Sequence, residues 1–132
     1  MKKYSAACCC FFLVFSIPLF SQNKDSLLRV AIKTPADSNQ VMATLGLASF
    51  YLGSQPDSSV FWATKAIELA KKAPYSRKWL TNGWNSLGMA HYYRSNYREA
   101  IKAFEGFYDA ARAGKDVAKM GQAKNNLGNV WI

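Results

Sequence analysis

Residues 84–88 read WNSLG, and Ala100 and Phe104 follow the tryptophan at distances of 16 and 20 positions. In a helix with 3.6 residues per turn, Trp84 and Gly88 lie on the same side, one turn apart. Because Gly88 has no side chain, the backbone of a following helix that carries Ala100 and Phe104 is expected to approach this side closely. The stretch therefore predicts two consecutive helices packed against each other.

The Leu-Gly pair of this stretch recurs along the chain. The pairs are Leu45-Gly46, Leu87-Gly88 and Leu127-Gly128, which stand 42 and then 40 positions apart. This spacing fits a unit of two helices with short turns. Because such a unit buries its apolar face only by stacking on a neighbour, the sequence predicts an all-α domain of stacked units.

The middle unit resembles a tetratricopeptide repeat, whose pattern W-x2-L-G-x2-Y is followed by an alanine and a phenylalanine. Trp84, Ala100 and Phe104 match this pattern, His91 occupies the tyrosine position, and the terminal proline is missing. The resemblance covers residues 38–132 and implies antiparallel helix pairs stacked as a right-handed α-solenoid. It assigns these residues to the repeat motif: Leu45, Gly46, Trp84, Leu87, Gly88, Ala100, Phe104, Leu127 and Gly128.

Breaks in the apolar pattern set the boundaries of the repeats within residues 37–132. The first unit is expected at 38–75, the second at 76–114 and an incomplete third at 115–132. The helix of the third unit has an apolar side that no later helix covers. We therefore expect that the array is truncated, that the chain associates with itself at this open repeat, or that its end is frayed, and truncation is the leading expectation.

Polar residues between the apolar stretches are candidate helix caps. Asp37 or Ser38 is expected to start the first repeat helix, and Asp57 to accept hydrogen bonds in the first turn of the next. Asn96 and Glu99 have the spacing of a capping box, which predicts a helix start there.

The N-terminal residues 1–22 have the composition of a secretory signal peptide. Lys2 and Lys3 precede an apolar run at 8–20, which is shorter than the ~20 apolar residues that a membrane span needs. We expect cleavage near residue 21 or 22 and an exported protein that is periplasmic or membrane-associated. Residues 23–36 are expected to form a short capping helix and a linker.

The side of the repeat helices opposite the motif is rich in amides and aromatic residues. Asparagine and glutamine can both donate to and accept from a peptide backbone, and tyrosine supplies rigid contact area with a polar tip. In a stacked array this side lines the inner, concave surface, so the expected partner is a protein or an extended peptide. The alternative is that these side chains pack against adjacent repeats, cap helices or face water. The candidate groove residues are Asn82, Asn85, Met89, Tyr92, Gln122, Asn125 and Asn129.

The residues that catalysis and metal binding require are scarce in this chain. The chain has one histidine, His91, no cysteine after Cys10, and eight acidic residues spread over different predicted helices. We therefore expect neither an enzyme nor a cofactor or metal site. His91 is expected to be a packing residue that stands in place of tyrosine.

The formal net charge is +9, and a basic surface attracts nucleic acid, anionic lipid or acidic peptides. A nucleic-acid-binding helical repeat is therefore the alternative function. We expect no nucleic-acid partner, because the basic residues are spread along the chain and a secretory signal would separate it from nucleic acid.

The combination of a signal peptide and long repeats resembles the exported N-terminal sensor part of bacterial signalling proteins. This resemblance implies a histidine kinase, cyclase or transcriptional regulator as an output domain beyond residue 132, and a membrane tether in that region or in the N-terminal segment.

Overall fold

A computed structural model describes residues 18–32, 37–72 and 76–131, with the side chains of residues 24–32, 37–72 and 77–131. Over these ranges the chain forms six α-helices and no β-strand, so the prediction of an all-α fold is confirmed. The helices are α1 (Pro18–Ala31), α2 (Ser38–Tyr51), α3 (Pro56–Lys72), α4 (Ser76–Tyr93), α5 (Tyr97–Ala113) and α6 (Val117–Val130).

Each helix packs against the next one along the chain, from α1 through to α6. Two further contacts join helices that are not consecutive, α2 with α4 and α4 with α6. Helix α4 therefore lies at the centre of the molecule, because it touches α2, α3, α5 and α6. This arrangement brings the middle Leu-Gly unit into contact with both of its neighbours.

Helix α5 shows most clearly how the sequence pattern gives the packing. Its apolar residues recur at intervals of three and four, so one side of the helix is continuously apolar. Phe104 and Phe107 are each only 1% exposed, and they form a core cluster with Ala100 and with Ala123 of α6. Four of the apolar residues on this side, Ala100, Phe104, Phe107 and Ala111, are all buried.

Two glycine–aromatic pairs join α4 to α5. A Cβ atom added at Gly88 would overlap the ring edge of Phe104, whose Cζ atom would lie 2.9 Å away. In the opposite direction, a Cβ atom at Gly106 would lie 2.8 Å from Cδ2 of Trp84. The space that Gly88 leaves open is therefore filled by the ring of Phe104, and the close approach of the two backbones stays a prediction.

The other two glycines of the recurring pairs have different surroundings. Gly46 faces Leu27 of α1, whose Cδ2 atom would lie 3.2 Å from an added Cβ. Gly128 has no heavy atom within 4 Å of such a Cβ. The recurring Leu-Gly pair thus has different surroundings each time: the glycine faces a side chain of α1 at Gly46, a side chain of α5 at Gly88, and no described side chain at Gly128.

The helix caps agree with the predictions in one case and differ in two. Asp37 caps α2, with its Oδ1 atom accepting a hydrogen bond of 2.8 Å from the backbone N–H of Gln40. Asn96 makes no such bond although it precedes α5, and Glu99 pairs with Lys102 at 2.8 Å, so the capping box is wrong. The side chain of Glu99 has a stronger partner in the lysine ammonium than in a backbone N–H.

Asp57 is not a cap either. Helix α3 begins at Pro56, whose ring fixes φ near the helical value and whose missing N–H costs nothing in the first turn. Asp57 therefore lies inside the first turn, where its carboxylate forms an ion pair of 2.6 Å with Arg94. This ion pair ties the start of α3 to the residue that follows α4.

Helix α1 begins at Pro18, so it crosses the expected boundary between a signal peptide at 1–22 and a capping helix at 23–36. Residues 1–17 and 33–36 lie outside the described residues. Leu27, Leu28 and Val30 of α1 pack against the cluster that Ala31 forms with Ala43 and Leu47 of α2. Within the described ranges, no helix combines the length and the apolar character that crossing a membrane requires.

Candidate functional site

The contact between α4 and α6 is polar and includes two of the candidate groove residues. The Oδ1 atom of Asn85 accepts a hydrogen bond of 2.9 Å from Nδ2 of Asn126. One turn earlier in α4, the Oδ1 atom of Asn82 accepts a bond of 3.0 Å from Nζ of Lys119. Both amide oxygens are therefore occupied within the molecule, which leaves their amide NH2 groups as donors.

Next to this contact lies a cavity of about 350 Å³, called here the α4–α6 cavity. Helix α4 contributes Met89 and Tyr92, and α6 contributes Asn126 and Asn129. The buried ring of Phe104 from α5 also lines it. The cavity thus combines an aromatic and thioether lining with two amides, a combination that suits a peptide with an apolar side chain and a free backbone.

Three of the seven candidate groove residues, Met89, Tyr92 and Asn129, come together in this cavity. Gln122 and Asn125 are exposed on α6 and do not line it. Asn126 was missed in the sequence, although it lies between two candidates. The sequence feature that indicates Asn126 is its position one helical turn before the end of α6, on the same side of the helix as Asn129.

The surface continues from α4 toward α2. A smaller cavity of about 170 Å³ is lined by Asn85 and Met89 together with Ala48 and Ser49 of α2. Asn85 contacts α6 through Asn126, and Met89 lines both cavities. The two cavities therefore share Met89, and the candidate contact area includes residues of α2, α4 and α6.

Exposed tyrosines flank one end of the α4–α6 cavity. Tyr92 is 38% exposed and Tyr93 is 54% exposed, so part of each ring is open to solvent. The ring of Tyr92 makes edge contacts with those of Tyr93 and Tyr97, at centroid distances of 6.3 and 5.8 Å. Such edge contacts restrict the tyrosine rings before a partner binds, so less side-chain entropy is lost on binding.

His91 lies half-buried near these tyrosines, and its Nδ1 atom is buried with no hydrogen-bond partner among the described residues. Burial lowers the pKa of the imidazole, and the nearby Arg94 cation lowers it further, while Glu99 opposes the change. The neutral form is therefore favoured at pH 7. In the described ranges, no three His, Cys, Asp or Glu side chains are close enough together to hold a metal ion.

Comparison of the chain with protein-family models, with curated proteins and with solved structures found no match. The class that the described residues define is that of an all-α protein, with six helices packed in order along the chain. The assignment of function consequently depends on the contacts and cavities described above.

Proposed function

We propose that this protein is an interaction scaffold that binds an extended polypeptide on the surface formed by α2, α4 and α6. The observation that carries the proposal is the α4–α6 cavity, where Met89, Tyr92 and Asn129 of the candidate groove come together. An apolar and aromatic lining gives contact area, and amides beside it can pair with a peptide backbone. The partner is a protein or an extended peptide.

The proposal includes a repeat architecture of the tetratricopeptide kind. The connections between α2 and α3, α4 and α5, and α5 and α6 contain three or four residues, and connections this short favour antiparallel neighbours. The contacts of α2 with α4 and of α4 with α6 support a stack in which the first helices of successive units are adjacent. A right-handed α-solenoid has this order, with its first helices on the concave side.

The binding surface can be tested with peptides selected from a random display library against the purified chain. We expect a Tyr92→Ala, Asn129→Ala double variant to raise the Kd of the selected peptides by about tenfold or more, because aromatic residues dominate binding energies. Fluorescence anisotropy with a labelled peptide measures this change. Both residues are exposed, so the variant should fold normally.

The matched control is Phe61→Ala, which removes an aromatic ring that is 61% exposed on α3, away from the cavity. We expect this variant to bind the same peptides as the wild type does. Equal weakening by Phe61→Ala and by the double variant would contradict the assignment of the surface.

We also propose that the protein is exported and acts as the sensor part of a larger signalling protein. The support is the charged start and apolar run of residues 1–22. Residues 1–36 fused to an alkaline phosphatase that needs its disulfides should give phosphatase activity in a bacterial host, since disulfides form outside the cytoplasm. Deletion of residues 8–20 should abolish the activity, and an inactive full fusion would refute export.

A further inference from the structure

A pocket on another part of the molecule collects positive charge. It has a volume of about 310 Å³ and lies where the first turns of α4 and α6 meet the end of α5. Its basic lining residues are Arg77 and Lys78 of α4 and Lys119 of α6, and Asp116 is its one acidic residue. This group is called the basic pocket below.

Lys119 is fixed within the pocket by neutral acceptors. Its Nζ atom donates hydrogen bonds of 2.9 Å to Oγ1 of Thr81 and 3.0 Å to Oδ1 of Asn82. An ammonium group has three N–H donors, so one remains for a further acceptor. Because neither partner carries a charge, the positive charge of Lys119 is held in place without being neutralised.

The other basic side chains of the pocket have no carboxylate partner, although Nζ of Lys78 lies 5.3 Å from the centroid of the Trp79 ring. None of the ion pairs in the described part of the chain includes Arg77, Lys78 or Lys119. The guanidinium of Arg77 makes only a long bond of 3.5 Å to the carbonyl of Ala113. The Oδ1 atom of Asp116 already accepts a bond of 3.0 Å from the backbone N–H of Lys119.

The helix ends add to this field. The N-terminal turns of α4 and α6 both line the pocket, and each brings the positive end of a helix dipole. The negative end of α5 is there as well, but three of its last carbonyls accept bonds from the backbone N–H groups of Gly114, Lys115 and Asp116, which moderates its effect. Two positive helix ends and the cations of Arg77 and Lys119 thus lie beside one helix C-terminus and one carboxylate.

We infer that the basic pocket binds a single oxyanion group, a carboxylate or a phosphate. The free N–H of Lys119 and the forked donors of Arg77 would reach the same anion from α6 and from α4. The source of the oxyanion is either a small free anion or an acidic residue of a peptide. This site is separate from the proposed peptide surface. Binding of simple anions to it can be measured whether or not a peptide binds to the surface formed by α2, α4 and α6.

The test follows backbone amide shifts by NMR while sodium phosphate, sodium acetate, hexaglutamate or hexaglutamine is added at constant ionic strength. We expect saturable shifts concentrated at residues 77–81 and 114–119. Saturation by phosphate or acetate as tightly as by hexaglutamate identifies a free anion as the ligand, and saturation by hexaglutamate alone identifies an acidic peptide. Hexaglutamine should cause no shift in these two segments.

Two variants of the pocket and one control decide the outcome. Lys119→Gln and Arg77→Gln should each weaken binding about tenfold, since each removes a charge-assisted hydrogen bond. Lys65→Gln removes the same charge from an exposed site on α3 and should leave the affinity unchanged. Arg77 is exposed, so its variant remains informative even if Lys119→Gln unfolds the chain. Shifts that spread over all lysines without saturating, or equal weakening by Lys65→Gln and Arg77→Gln, would overturn the inference.

Discussion

Replacement of Phe104 by alanine is expected to lower the free energy of unfolding by about 3–5 kcal/mol. The side chain is 1% exposed and packs with Phe107, Ala100 and Ala123, so its loss removes buried apolar area and leaves a cavity. Gly88 lies opposite the ring and has no side chain that could fill the cavity, so the cavity can close only if the surrounding helices move. Urea denaturation followed by circular dichroism at 222 nm measures the change.

The control for this variant is Phe61→Ala, which removes the same ring from an exposed position on α3. Its expected cost is below about 0.5 kcal/mol, as is usual for surface substitutions. Similar losses for the two variants would mean that Phe104 is not in the core. Phe104 also lines the α4–α6 cavity, so its loss should change that cavity together with the stability of the chain.

Much of the fold follows from local pattern. The helix start predicted at Asn96 agrees with the first residue of α5, Tyr97, to within one residue, because apolar periodicity and the residues at the turns act within a single helix. The buried face of α5 is likewise given by spacing alone. These features can be predicted without knowing which residues of another helix pack against them.

Contacts between helices were harder to predict. The Gly106–Trp84 pair and the Asn85–Asn126 bond depend on the rotation and the register of one helix against another. Periodicity within one helix fixes neither of these quantities. Of the Gly106–Trp84 pair, only Trp84 was singled out in the sequence, whereas Gly88 and Phe104 both belong to the predicted repeat motif.

In the candidate site too, features within one helix could be predicted and contacts between helices could not. Met89 and Tyr92 share a side of α4 by spacing, and the structure brings them together with Asn129 of α6. Lys119 could not be assigned from its helix, because its role depends on Thr81 and Asn82, nearly forty positions earlier in the chain. Asn96 illustrates the opposite error, since a capping residue in the right position made no capping bond.

Replacement of Gly88 by alanine is expected to destabilise the protein by about 1–3 kcal/mol, although alanine normally gains about 1 kcal/mol over glycine within a helix. The added methyl group would overlap the ring of Phe104, which is buried and cannot swing into solvent. The helix must then move away or the ring must leave its rotamer, and either change costs more than the gain in propensity.

In the Phe104→Ala background the effect of Gly88→Ala should change sign. Without the ring, the new methyl group enters free space and contributes its helix propensity, so we expect a stabilisation of up to about 1 kcal/mol. Gly121→Ala in α6 is the control in the wild-type background, because an added Cβ meets no heavy atom within 4 Å there. This control should stabilise the chain by about the same amount. Urea denaturation of the four proteins of the cycle and of Gly121→Ala provides the measurement. If Gly88→Ala stabilises the wild-type chain as much as Gly121→Ala does, then α4 and α5 do not meet through the ring of Phe104.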